Sequence, residues 1–228
     1  MVKFPVYGSM IEASECVTRL LGQLNTMMWI AEYPERFGKQ LLRIGEFYYR
    51  CAEAEIKAAN GLLDGFVIWG DVAYRKGLFF SPEYWRAYFK PTVKAMIDLC
   101  HKNNLPVIYH GCGNVGAIFQ DFIEMGLDAY NPMEAKAGMD LCEYRERYGH
   151  RIAFCGGSDV RVWERGDRTE IKREVLRKLS AAKGGGLIFQ SDHSVTSAVS
   201  GRTYDYIVKL VRECGGQPLE LGKYDHER

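Results

Sequence analysis

The chain has 228 residues, of which 47% are hydrophobic and 26% are charged. This composition is ordinary for a globular protein, and the length allows one sizeable core. The net charge of +1 gives no electrostatic reason to expect nucleic acid as a partner. No run of about 18 apolar residues is present, so we expect no membrane-spanning helix. The N-terminus lacks the layout of a secretory signal, so we expect a cytoplasmic location. The seven scattered cysteines indicate reduced thiols.

Short apolar runs alternate with amphipathic segments along the whole chain. The predicted elements, in chain order, are a candidate strand at 4–7, helix 34–60, strand 66–69, helix 82–103, strand 107–109, helix 115–125, strand 128–130, helix 140–148, strand 152–154, helix 169–182, strand 187–189 and helix 202–214. Strands that read as continuous apolar runs are typical of a parallel sheet covered on both faces. No linker divides the pattern, so we predict one α/β domain over 1–228.

Polar or glycine-rich sequence follows each predicted strand. These segments are Gly70-Asp71, His110-Gly111-Cys112, Asn131-Pro132, Cys155-Gly156-Gly157-Ser158-Asp159 and Ser191-Asp192-His193. In α/β barrels and open parallel sheets, the site lies at the carboxyl ends of the strands. A cap or turn role is the alternative for any one of these residues. As a set, they predict a functional cleft at one edge of the sheet.

His110 and Cys112 are the strongest candidates for a metal site. Residues i and i+2 of an extended chain point to the same side, and imidazole and thiolate are both zinc ligands. A third ligand must come from another strand end, where His193 is the first choice and Cys155 or Asp192 the alternatives. Three protein ligands leave the fourth position for water or substrate, which is typical of a catalytic zinc site.

Asp71 and the sequence after it supply further candidates. Asp71 is interpreted as a general acid or base, a cation-binding group or a partner that fixes the histidine tautomer, with a turn role as the alternative. Tyr74, Arg75 and Lys76 are expected in a loop, where they could contact an anionic substrate or be solvated.

Several motifs in order resemble one known family. They are Gly70-Asp71 with Gly77 and the helix start Ser81-Pro82-Glu83, then His110-Gly111-Cys112-Gly113-Asn114, Met125-Gly126-Leu127-Asp128-Ala129-Tyr130-Asn131-Pro132, Gly138-Met139-Asp140-Leu141 and Gly156-Gly157-Ser158-Asp159-Val160. From about residue 10 to 215 the chain resembles the uroporphyrinogen decarboxylase superfamily. It is most similar to the branch of cobalamin-dependent methyltransferases, whose His-x-Cys motif carries zinc.

The resemblance implies a (β/α)8 barrel of the TIM type, with its site at the carboxyl ends of the strands. The chain supplies five strands, or six at most, so we predict a barrel that is incomplete at its N-terminus. Because an exposed sheet edge invites pairing with other chains, we expect a homo-oligomer or cover from the helix at 34–60.

The resemblance also implies a zinc-dependent methyltransferase that moves a methyl group between a small substrate or thiol and a corrinoid (cobalamin) protein. His110, Cys112 and His193 would hold zinc; Asp71 would act with the first two in catalysis; Tyr74, Asn131 and Asp159 would bind substrate. The thiol-methylating members have a later zinc-binding cysteine, whereas this chain has Gln190-Ser191-Asp192-His193 at that place.

Two other functions remain open at this point. Decarboxylation of a tetrapyrrole, as in uroporphyrinogen decarboxylases, requires no metal, but the N-terminal arginine motif of those enzymes is missing here. A truncated barrel that binds a corrinoid protein or a ligand without turnover is the non-enzymatic alternative, in which His110 and Cys112 would have no catalytic role.

Overall fold

The computed structural model describes residues 4–216, which form two compact units. The first unit ends at Tyr130 and contains β1 (Tyr7–Ile11), α1 (Ala13–Leu21), α2 (Gln23–Glu32), α3 (Pro34–Ala59), β2 (Gly65–Trp69), β3 (Ala73–Tyr74), β4 (Gly77–Leu78), α4 (Pro82–Tyr88), α5 (Lys90–Lys102), β5 (Val107–His110) and α6 (Phe119–Glu124). Then come β6 (Ala129–Asn131), α7 (Leu141–Tyr148), β7 (Ala153–Cys155), α8 (Val160–Arg165), α9 (Arg168–Ser180), β8 (Leu187–Ile188) and α10 (Gly201–Cys214). Among the described residues, none of the helices has the length and apolar content that crossing a membrane requires.

The first unit is built on a parallel sheet in which β2 lies between β1 and β5. The register places Ile11 opposite Trp69 and Trp69 opposite His110. Phe66 and Ile68, which point to one face of the sheet, are fully buried, whereas Val67 and Trp69 on the other face are partly exposed. The three strands therefore end at the same level, and the polar segments that follow them start side by side.

An aromatic cluster fills the core beneath this sheet. Phe122 of α6 lies between Trp85 and Tyr109, with ring centroids 5.4 and 4.6 Å away. Tyr130 packs against Phe122 at 5.4 Å and against Phe119 at 5.2 Å. All five side chains have no exposed surface. Close packing of such large rings leaves the side chains little freedom to move. Tyr109 of β5 and Tyr130 of β6 are therefore held rigidly.

The second unit has its own strand pair and its own core. β7 and β8 pair in parallel, with Phe154 opposite Leu187. Apolar residues of α8, α9 and α10 form a separate buried cluster, whose members are Trp163, Ile171, Val175, Leu179, Ile207, Leu210 and Cys214.

Most predicted elements are confirmed, with boundary shifts of a few residues. Within residues 4–216, the six strands outside the β3–β4 hairpin alternate with helices, which confirms the α/β class and agrees with a barrel that lacks some of its eight strands. The candidate strand at 4–7 lies instead at Tyr7–Ile11. The predicted single domain over 1–228 also includes residues 1–3 and 217–228, which lie outside the described range.

Three details of the prediction were wrong. The helix predicted at 82–103 is two helices, α4 and α5, that divide at Phe89 because Pro91 belongs in a first helical turn. Tyr74 lies in the β3–β4 hairpin rather than in an irregular loop. The helices α1, α2 and α8 were not predicted.

An ion cluster around the buried side chain of Lys178 joins α7 to α9 in the second unit. Asp140 caps α7 by accepting hydrogen bonds from the backbone of Cys142 and Glu143. Its carboxylate also accepts from Arg177 at 2.8 Å and from the buried Lys178 at 2.7 Å. Burial alone would raise the pKa of Asp140, but these two cations outweigh it and hold the pKa below its usual range.

Removal of this carboxylate should destabilise the protein strongly. We expect Asp140→Ala to lower the free energy of unfolding by about 3–5 kcal/mol, because it leaves the Lys178 ammonium, 1% exposed, without its main partner. The control Asp167→Ala, which removes the exposed cap of α9, should cost about 1 kcal/mol. Urea-induced unfolding measures both losses of stability. Equal losses in the two variants would contradict the importance of the ion pair between Asp140 and Lys178.

Candidate metal site

Three metal-ligating side chains meet where β2 and β5 end. Asp71 follows β2 by two residues, His110 is the last residue of β5, and Cys112 comes two residues later. Their ligand atoms all lie within 4.8 Å of one another, the one group of this kind within residues 4–216. The register of the sheet explains the meeting, since Trp69 and His110 are directly opposite.

The distances in this group suit a metal ion. His110 Nε2 lies 3.8 Å from Cys112 Sγ. Zinc bonds of ordinary length at a tetrahedral angle would place these two atoms about 3.6 Å apart. The backbone N–H of Cys112 donates to Asp71 Oδ1 at 2.7 Å, which holds the carboxylate beside the thiol. One sulfur, one nitrogen and one oxygen donor together fit zinc.

Two members of the metal-ligating group, Asp71 and His110, line a cleft of the first unit. The cleft has a volume of about 430 Å³ and is lined by Ser9, Met10, Ile11, Glu15, Arg19, Trp69, Asp71 and His110. The indole of Trp69 lies against the imidazole of His110, with centroids 4.5 Å apart, and is 40% exposed. A small molecule in the cleft would therefore meet an aromatic wall next to the imidazole.

Charges on α1 line the side of the cleft. Glu15 accepts a hydrogen bond from the backbone N–H of Asp71 at 3.3 Å and forms an ion pair with Arg19 at 2.9 Å. Arg19 is the one arginine or lysine among the described residues of the cleft wall, and its charge is already compensated by Glu15.

Glu12 is a carboxyl group buried beneath the site. It follows β1 directly, is 1% exposed, and accepts a hydrogen bond from Ser14 at 2.6 Å. Its second oxygen has no hydrogen-bond partner among the described residues. Burial raises the pKa of Glu12 to about 7, more than the hydrogen bond from Ser14 lowers it. The sequence analysis missed Glu12 because the strand before it was placed too early in the chain.

The other predicted site residues have local structural contacts. Tyr74 is exposed and stacks on Phe79. Asn131 and Asp159 lie in the second unit. Asp159 caps α8 and forms an ion pair with Arg161 at 2.6 Å, which is the cap role that the sequence left open. Substrate binding by Tyr74, Asn131 and Asp159 stays a prediction.

The three candidates for the third zinc ligand also belong to the second unit. Asp192 is fully buried and accepts from the backbone N–H of Val160 at 3.0 Å. Cys155 is buried, and this burial raises the pKa of its thiol to about 11. His193 is exposed. Their participation stays a prediction, whereas Asp71 is the third donor found together with His110 and Cys112.

Parallel β/α repeats with a polar cluster at the carboxyl ends of the strands define a barrel-type α/β protein. The profile of the uroporphyrinogen decarboxylase (URO-D) family matches residues 3–214. The chain belongs to this family, as the order of motifs indicates.

Individual proteins that resemble the chain agree with this family. Uroporphyrinogen decarboxylases from two strains of Thermus thermophilus are each 24% identical over 178 residues, 75% of this chain and 47% of the relative. A solved methyltransferase from Methanosarcina mazei has the same fold, with a TM-score of 0.72 at 19% identity over 95% of this chain and 60% of that one. The chain thus spans about half the length of the curated relatives.

The buried Glu12 should make stability depend on pH. Because its pKa is about 7 in the folded protein against 4.5 ordinarily, the folded state keeps a proton that the unfolded state releases. The free energy of unfolding should therefore fall as pH rises from 4.5 to 7 and then level off, by on the order of 3 kcal/mol. Glu12→Gln should remove this component.

Denaturant unfolding of the metal-free protein across the window between the two pKa values measures the effect. The matched control is Glu53→Gln on the exposed face of α3, which should keep the wild-type profile. The same fall in wild type and Glu12→Gln would show that other groups cause it.

Proposed function

We propose that this protein transfers a methyl group between a small substrate or thiol and a corrinoid protein, with zinc held by His110, Cys112 and Asp71. The observation that supports the proposal is the convergence of a thiol, an imidazole and a carboxylate, of which the imidazole and the carboxylate line an open cleft. Three protein ligands leave one position for the substrate, which is the arrangement of catalytic zinc. When bound, zinc would stabilise the charge that develops on the substrate heteroatom.

The protein side chains have distinct roles in this proposal. Trp69 packs on the imidazole of His110 and so fixes the direction of its ring, with Nε2 towards Cys112. The N–H of Cys112 fixes the carboxylate of Asp71. The cleft then receives the substrate, whose heteroatom loses its proton to solvent. In the direction from corrinoid to substrate, a bond would form between that heteroatom and the methyl carbon, while the bond between the methyl carbon and the corrinoid would break and leave its electron pair on the corrinoid.

The names of the Thermus relatives favour a second candidate, the decarboxylation of an acidic tetrapyrrole. The charges of the cleft do not support it. Its described wall has two carboxylates, Glu15 and Asp71, and the single arginine is paired with Glu15. A substrate with several carboxylates would meet repulsion there.

Metal analysis tests the ligand assignment. Protein reconstituted with zinc and freed of excess should hold one ion per chain, and His110→Ala, Cys112→Ala and Asp71→Ala should each weaken binding strongly because three ligands are the minimum of such a site. His193→Ala should keep its zinc, since Asp71 completes the set.

The same experiment contains the results that would contradict the assignment. Loss of zinc in His193→Ala together with retention in Asp71→Ala would make His193 the third ligand, as the sequence analysis expected. Wild-type protein that binds no zinc would overturn the proposed function.

Turnover assays separate the candidate functions. We expect loss of methylcobalamin with 2-mercaptoethanol as acceptor, measured by absorbance, to require zinc and to be abolished in Cys112→Ala. Uroporphyrinogen should be left unchanged, as judged by chromatography of its porphyrin products. Decarboxylated products without methyl transfer would support the second candidate. The absence of both reactions would favour a barrel that binds without turnover.

A further inference from the structure

The two segments that carry Asp71 and Cys112 touch through their glycines. A Cβ added at Gly111 would lie 2.8 Å from the carbonyl oxygen of Gly70, so the two backbones are in direct contact. Asp71 follows Gly70 and Cys112 follows Gly111 in the chain. The distance between the carboxylate and the thiol therefore depends on how these two glycine peptides are held.

Two buried tyrosines hold the carbonyl groups of these glycines. Tyr109 donates its hydroxyl proton to Gly70 at 2.9 Å, and Tyr130 donates to Gly111 at 2.7 Å. Neither tyrosine has any exposed surface. Each hydroxyl group thus satisfies a buried carbonyl group that water cannot reach. Each hydrogen bond fixes the peptide that comes directly before a metal ligand.

The tyrosine rings are themselves immobilised by the core. Tyr109 and Tyr130 are stacked with centroids 6.0 Å apart, and both pack on Phe122. Tyr109 also comes directly before His110 in β5. One rigid unit therefore reaches all three ligands: His110 through the chain, Asp71 through Gly70, and Cys112 through Gly111.

We propose that Tyr109 and Tyr130 are positioning residues of the metal site, whose hydroxyl groups keep Asp71 and Cys112 at the separation that the metal requires. The inference rests on the proposed zinc site and adds residues that do not touch the metal. Partners of this kind typically change metal affinity about 10- to 100-fold.

Phenylalanine substitutions test the proposal because they keep the rings and remove only the hydroxyl groups. We expect Tyr109→Phe and Tyr130→Phe to weaken zinc binding about 10-fold or more each, measured by competition with a chromophoric chelator. Cobalt(II)-loaded variants should show shifted d–d and thiolate-to-metal absorption bands, since the ligand geometry changes. A purely structural role would not move these bands.

The matched control is Tyr144→Phe in the second unit, where a buried tyrosine donates its hydroxyl proton to Met139 Sδ at 3.0 Å. This variant should keep wild-type zinc affinity and cobalt spectra. Wild-type affinity and spectra in Tyr109→Phe and Tyr130→Phe would overturn the positioning role alone.

Two further outcomes are informative. An equal loss of affinity in Tyr144→Phe would assign the effect to general destabilisation, and this also would overturn the positioning role. Wild-type protein without zinc affinity would instead remove the metal site on which the inference rests.

Discussion

The parallel register of β2 with β5 is the constraint on which the candidate site depends. Since Trp69 pairs with His110, both strands end at one level, and the chain beyond each strand enters the same small region. A shift of one residue in β5 would turn His110 and Cys112 to the other face of the sheet, because side chains alternate along a strand. The buried side chains Val107 and Tyr109 of β5 stabilise the correct register, since such a shift would turn them away from the core.

In the first unit, the same residues belong to the hydrophobic core and support the candidate site. Tyr109 is a core residue through its ring and a partner of the site through its hydroxyl group. The same low-dielectric interior that strengthens this hydrogen bond makes the ionised form of Glu12 costly. A buried carboxyl group that reduces stability above its ordinary pKa is typical of functional regions, where local stability is given up for chemistry.

The sequence predicted the strands that form the site but not all of the residues that meet there. The apolar run before Asp71 and the His-x-Cys spacing are patterns among neighbouring residues, which can be recognised directly in the sequence. The strand Tyr7–Ile11 was misplaced because Gly8 and Ser9 are typical of a turn. Gly8 is required for packing instead, since a Cβ there would lie 2.7 Å from the ring of Phe66. The meeting of Asp71 with Cys112 depends on strand register, which no local pattern contains.

The identity of the third ligand determines how much of the zinc chemistry proposed for this chain could follow that of thiol-methylating proteins. With Asp71 in that place, the thiolate of Cys112 and the carboxylate bring two negative charges, as two thiolates would, so the net charge of a zinc site is preserved. A carboxylate oxygen is a harder ligand than a thiolate and donates less electron density to the metal. The proposed ion would therefore be a stronger Lewis acid, better suited to polarise a substrate heteroatom than to keep a thiolate highly nucleophilic.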